Sequence, residues 1–258
     1  MIILSSDYHT HTVFSHGKGT ILENATRAKE IGLKEIGISD HGFAHPAFGL
    51  TKRKVPKMRQ LVDEAKSSLG INVLLGIESN LIGEEGYCDL KEEQYDNFDL
   101  FLAGIHKFVK LKRFKDYFGF FGKNFFTNAF HKKPSDKVIK ITTNAYINAI
   151  KNNPIDAITH LNYCVFCDPV EVAKCARDYG TYIELNSKKT HLSLEQLNDV
   201  ANTGVRFIIN SDAHSVDRVG EIKLVEEILK NASVDLSQID NIDGRLPKFR
   251  FAEFKRSR

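Results

Sequence analysis

Apolar residues fall in short blocks along this chain, near 2–7, 35–38, 72–78, 99–105, 155–159, 181–186 and 206–210. The blocks are rich in Ile, Leu, Val and Phe, which predicts strands buried on both faces. Helix-like stretches lie between them. The first starts at Thr20, with Glu23 placed to complete a capping box, and stops at Gly32. Others are expected near 55–69, 136–151, 169–179, 193–203 and 216–231, the one at 193–203 carrying Ser193 and Glu195 at its start. Seven strand-then-helix units imply parallel pairing, hence an α/β barrel or a doubly wound sheet. Residues 107–133 break the alternation. They read as a long loop in which Lys107, Lys110, Lys112, Arg113 and Lys115 mix with Phe108, Phe114, Tyr117, Phe118, Phe120, Phe121, Phe125 and Phe126. Three readings stay open for this insert: a lid over a site, a nucleic-acid contact through stacking and phosphate pairing, or simple packing. The basic end, 249–258, is expected to fray after a last packed segment.

Length and composition add bounds. A chain of 258 residues supports one large core, and a single domain spanning 1–258 is expected. No apolar run approaches the ~18 residues that a membrane span needs, and the amino terminus lacks the basic flank of a signal peptide, so the expected location is cytoplasmic. The net charge of +3 does not by itself call for nucleic acid. Cys88, Cys164, Cys167 and Cys175 are too sparse for a disulfide framework. The Cys164-x-x-Cys167 pair has no second half to complete a thiolate metal site.

The histidines decide between barrel and open sheet. His9 and His11 follow the first strand block, with His16 beyond; Asp40 and His41 follow the second; Glu78 ends the third, His106 the fourth and His160 the fifth; Asp212 and His214 follow the seventh. In a parallel barrel all strand carboxyl ends meet on one face, so residues some two hundred positions apart share one pocket. His9 and His11, and again Asp212 and His214, are two apart, which aims both members of each pair the same way on an extended segment. Imidazoles with carboxylates suit zinc, manganese or iron, and the seven histidines with Glu78 and Asp212 make nine candidate ligands, more than one ion takes. His45, His131 and His191 lie outside this set and read as surface or packing residues.

The segments Asp7-Tyr8-His9-Thr10-His11-Thr12, Ile38-Ser39-Asp40-His41-Gly42, Gly76-Ile77-Glu78, Gly104-Ile105-His106, Thr159-His160, Ile183-Glu184-Leu185-Asn186 and Asn210-Ser211-Asp212-Ala213-His214 together resemble the polymerase-and-histidinol-phosphatase (PHP) superfamily. The resemblance covers roughly 5–220. It implies a distorted TIM-like, seven-stranded (β/α)7 barrel with two or three divalent metal ions at the carboxyl ends of the strands. Carried over, it implies one ion on His9, His11, Glu78 and Asp212, a second sharing Glu78 with His106 and His160, and a third on His16, His41 and His214. It also implies that Asp40 holds an imidazole in place, or serves as a general acid, and that Asn186 supports the ligands. The chemistry expected is hydrolysis of a phosphate monoester by a hydroxide bridging two ions, with no protein nucleophile. Lys107, Lys188, Lys189, Arg218 and Arg53 are candidate phosphate anchors. The expected substrate is a small phosphorylated metabolite, with histidinol phosphate one candidate. A phosphodiesterase or nuclease is the second reading, and a non-catalytic binding module the third.

Overall fold

The computed structural model describes residues 2–129 and 133–258; His131 lies outside them. Seven parallel strands, β1 (Ser6–Thr10), β2 (Glu35–Ile38), β3 (Asn72–Asn80), β4 (Leu100–Gly104), β5 (Ala157–Ile158), β6 (Tyr182–Asn186) and β7 (Phe207–Asn210), pair in sequence order. A doubly wound sheet reverses its strand order at a switch point; this one does not. Instead β1 meets the end of β7. His11 N–H donates to the Ala213 carbonyl at 2.8 Å, and Ala213 N–H donates to the His9 carbonyl at 3.2 Å. The sheet is therefore a nearly closed, distorted (β/α)7 barrel. Asp7, fully buried, reinforces the seam by accepting from Ser211 N–H at 3.1 Å, Gly220 N–H at 2.9 Å and the Ser211 hydroxyl.

Most of the helices lie where the pattern places them: α1 (Ile21–Glu30), α2 (Val55–Leu69), α5 (Asp136–Asn152), α6 (Pro169–Tyr179) and α7 (Leu194–Asn202). Thr20 and Glu23 form the predicted reciprocal cap on α1. On α7 the partner of Ser193 is Gln196, not the neighbouring Glu195. Three expectations change. The 216–231 stretch splits into a 3-10 turn (Val216–Arg218) and α8 (Lys223–Leu229), with Gly220 at φ 75° between them. The insert is no loop: α3 (Phe114–Asp116), a π-helical turn (Tyr117–Gly122) and α4 (Lys123–Ala129) fill it. Phe120, Val109 and Leu111 bury themselves, while Phe114 and Phe118 stay 78% and 68% exposed. The carboxyl-terminal segment forms α9 (Arg250–Arg256), docked by fully buried Phe251, whose N–H donates to Asp156 at 2.8 Å.

The barrel interior is layered along each strand. Leu100, Leu102, Ala157, Tyr182 and Ile208 form an apolar inner cluster with Tyr8. Two residues further along β6 and β7 stand Glu184 and Asn210, and two further again Asn186 and Asp212. Inward positions thus turn from apolar to polar toward the strand carboxyl ends, the face where barrel sites form. Tyr8 belongs to the inner cluster, yet the adjacent His9 also reaches inward, to Glu184. A regular pleat forbids two consecutive inward side chains; the register shift between Asp7 and Thr10 permits it. His9 accordingly lies inside β1 rather than after it.

Candidate metal centre

Glu78, on β3 and fully buried, is the hub. Its Oε1 lies 2.7 Å from His160 Nε2, 3.1 Å from His106 Nε2 and 3.2 Å from His9 Nε2. Its Oε2 lies 2.8 Å from His41 Nδ1 and 3.6 Å from His11 Nε2. Asp212 Oδ1 is 3.4 Å from His11 Nε2 and 3.8 Å from His9 Nε2. His16 completes the group, its ring 4.3 Å from that of His214 and 4.9 Å from that of His41. All nine side chains singled out in the sequence meet at this one face. Their nearest donor groupings are His9–His11–Asp212, His41–Glu78–His106 and His11–His41–His214, each with ligand atoms within 4.8 Å of one another. His11 and His41 therefore sit between groupings rather than in one each.

The fit to cations follows from hydrogen positions. His9 Nδ1 lies 2.7 Å from Glu184 Oε1, so the ring donates there and presents the Nε2 lone pair inward. His106 Nδ1 donates to Asn80 Oδ1 at 2.8 Å; the Asn80 amide is fixed in that sense because its Nδ2 donates to Asp89 at 2.6 Å. In the neutral rings both Nε2 lone pairs would point at carboxylate oxygens of Glu78, acceptor against acceptor, so each contact calls for a proton or a cation. His41 Nδ1 and Glu78 Oε2, although 2.8 Å apart, lack hydrogen-bond geometry, and both are buried without a partner among the described residues, as is His11 Nδ1. Buried acceptors that face one another are stabilised by positive charge between them, either a proton or a bound cation. Burial, with His41 and His214 alongside, pushes His11 well below the usual imidazole range, and burial with His214 and His41 lowers His16 to about 4. Burial works against ionised Glu78, but His106, His9 and His41 hold it well below the usual carboxylate range; Asp212 is held low likewise, against burial, by His9 and His11. His9 shifts the other way: against burial, Glu78, Glu184 and Asp212 raise it well above the usual imidazole range, so a cation bound there would take the place of its proton. His160 and Asp212 adopt left-handed φ values of 30° and 49°, a strained backbone of the kind that clusters at functional sites.

The supporting residues differ from expectation. Asp40 touches no imidazole nitrogen. It accepts from Thr12 N–H at 2.8 Å, from the Thr12 hydroxyl at 2.6 Å and from the Ser15 hydroxyl, so it pins the loop that carries His11 and His16. Buried away from the cavity, it is not placed to be a general acid. The groups that orient imidazoles are Glu184 and the Asp89–Asn80 pair. Glu184 sat in a recognised motif without a role; Asp89 carries no signal in sequence. Asn186 does support the cluster, donating to Glu184 at 2.9 Å and Asp212 at 3.3 Å. Replacing Asn80 with Ala should weaken metal affinity about 10–100-fold with little change in fold; a metal titration of the folded variant that matches wild type would refute this support.

Above the cluster opens a cavity of about 410 Å³. Lys107, Lys188 and Lys189 line it, as do Phe48, Phe108 and Tyr163. Lys188 Nζ lies 3.3 Å from Asp212 Oδ1 and 3.1 Å from His214 Nδ1. Arg218 is not among the lining residues; it pairs with Glu221 at 3.3 Å. Arg53 is exposed elsewhere. His45 and His191 do line the cavity, with His191 5.1 Å from the Tyr163 ring. Burial pushes the Cys164 thiol up to about 12 and raises Cys167 as well, which disfavours the thiolate that a redox pair uses.

The barrel and this cluster define the class, and the comparisons agree: the chain belongs to the PHP domain family, whose model matches residues 7–190. A protein of Caldanaerobacter subterraneus subsp. tengcongensis named as a probable phosphatase is 31% identical over 255 residues, covering 89% of this chain and 87% of that one. Another so named, from Thermoanaerobacter pseudethanolicus, is 29% identical over 262 residues, covering 94% and 93%. The fold is shared with histidinol phosphate phosphatase from Lactococcus lactis subsp. lactis, crystallised with zinc, L-histidinol and phosphate: TM-score 0.61, 15% identity, 90% of this chain and 94% of that one. Among the described residues no helix is long and apolar enough to cross a membrane.

Proposed function

We propose that this chain is a metal-dependent phosphatase that hydrolyses a small phosphate monoester with two or three divalent ions, zinc, manganese or iron. The observation that carries the reading is the convergence of five imidazoles, those of His9, His11, His41, His106 and His160, on the buried carboxylate of Glu78 with Asp212 beside them. His9, His11, Glu78 and Asp212 would hold one ion, Glu78, His106 and His160 a second, and His16, His41 and His214 a third. Bound there, divalent ions neutralise phosphate oxygens and supply a water nucleophile at neutral pH. The chain's own residues do the positioning. Glu184 and Asn80 set the tautomers of His9 and His106, and Asn186 steadies Asp212. Lys188, already against Asp212 and His214, is placed to bind a phosphate oxygen.

No serine or cysteine nucleophile belongs to this reading; water attacks in line with the leaving oxygen. The phosphodiesterase alternative ranks second, because a cavity of about 410 Å³ is the size that holds a whole small molecule. The test is direct. Reconstituted with zinc or manganese, the protein should hydrolyse phenyl phosphate and leave bis(phenyl) phosphate and single-stranded DNA intact. Cleavage of only the diester or the DNA would replace this reading with the nuclease one.

A further inference from the structure

A cavity of about 410 Å³ lies within the range for sites that hold a whole small molecule, so it takes the leaving group as well as the phosphate. Its walls state what that leaving group should be. The carboxylates among its lining residues are Glu78 and Asp212, and both face the imidazole cluster. The lysines are Lys107, Lys188 and Lys189, of which Lys188 is matched to Asp212. Among the described residues Lys107 and Lys189 make no ion pair. Lys107 Nζ stands 5.8 Å from the centre of the Tyr163 ring, which in turn lies 5.1 Å from His160, so this cation borders the floor where the phosphate would bind. Lys189 also lines the cavity, its N–H donating to Asn186 Oδ1 at 3.2 Å. Phe108 and Tyr163 give the same cavity an aromatic wall. Phe108 holds a φ of 61° while lining the cavity, a backbone state that a bulky residue rarely adopts and that is found where geometry serves a site.

We infer that the substrate is a monoester whose leaving group carries a second anionic group, received by Lys107 and Lys189 while its body lies along Phe108 and Tyr163. The inference rests on the phosphomonoesterase reading and narrows it. Two unmatched cations attract an anion and repel a cation, and no unengaged carboxylate lines the cavity to receive an amine. A cationic leaving group such as an amino alcohol is therefore a poor fit here.

The experiment compares two aryl monoesters of similar shape and opposite remote charge, para-carboxymethyl-phenyl phosphate and para-aminoethyl-phenyl phosphate, on the metal-loaded full chain. The ratio of their kcat/KM values is expected to favour the carboxylate by roughly tenfold or more at low salt, and to shrink as ionic strength rises. In a Lys107→Gln, Lys189→Gln double variant the ratio should fall toward one. Because both substrates meet the same enzyme, differences in folding or metal loading cancel, and the salt dependence of wild type stands even if that variant fails to fold. Equal turnover of the two esters by wild type, preference for the amine, or an undiminished ratio in the variant overturns the assignment and leaves the phosphatase reading intact. No turnover of either ester overturns both.

Discussion

Glu78→Gln is expected to lower kcat/KM toward phenyl phosphate on the order of 10³-fold, because the stabilisation that bound metal gives a phosphoryl transition state is worth several kcal/mol. Glu78 faces His9, His11, His41, His106 and His160 at once, so it is the one side chain through which neighbouring ions would be joined. Glutamine keeps the shape and removes the charge. It also presents an amide N–H₂ where a metal would sit, so bound metal should fall together with activity. The fold should survive, since the Thr159 hydroxyl at 3.1 Å still finds an acceptor in the amide oxygen. Circular dichroism beside steady-state kinetics checks both halves; activity within tenfold of wild type in a folded variant would remove Glu78 from the centre of the mechanism.

The second large effect falls on stability. Asp7→Ala is expected to cost about 3–5 kcal/mol, because a buried carboxylate that accepts several hydrogen bonds leaves each donor unsatisfied when it is removed. The affected donors are the N–H groups of Ser211 and Gly220 and the hydroxyl of Ser211, on the segment after β7 that meets β1, together with the His9 N–H on β1. For a chain of this size the melting temperature should drop on the order of 10 °C. Asp7→Asn, which keeps one acceptor and the volume, should lose less. A thermal unfolding curve for Asp7→Ala within about 1 kcal/mol of wild type would mean that the barrel seam is held elsewhere.

The positions of the nine clustered side chains were legible because strand ends in a parallel barrel meet on one face, a rule that needs only strand boundaries and order. Exact boundaries were not needed: β1 runs Ser6–Thr10 where its apolar block was 2–7, yet His9 and His11 still converge on Asp212. What orients these side chains was not legible. Asp40 adjoins His41 in sequence, which invites pairing them, but consecutive residues on extended backbone point apart, and Asp40 turned to Thr12 and Ser15. The true partners, Glu184 for His9 and Asn80 for His106, come from other strands, and their contacts depend on register and on a bulge that no local pattern encodes.

The insert failed for a related reason. Its aromatics follow no helical period, because they bury Phe120 and leave Phe114 and Phe118 out, on a π-helical turn that shifts the repeat. Arg218 was placed near the site by its distance from His214 in sequence, but the 3-10 turn carries it to Glu221. His45 and His191 were set aside because they lie outside the strand-end set, yet both line the cavity.

The central claim is that acceptor atoms converging on Glu78 and Asp212 exist to grip several cations. It is tested most directly by the metal content of the full chain, measured by mass spectrometry after reconstitution with zinc or manganese and exhaustive dialysis. Two or three ions retained per chain, displaced by a chelator with loss of thermal stability, is the predicted result. Retention of less than one ion per chain, with a melting temperature that added metal leaves unmoved, would contradict it.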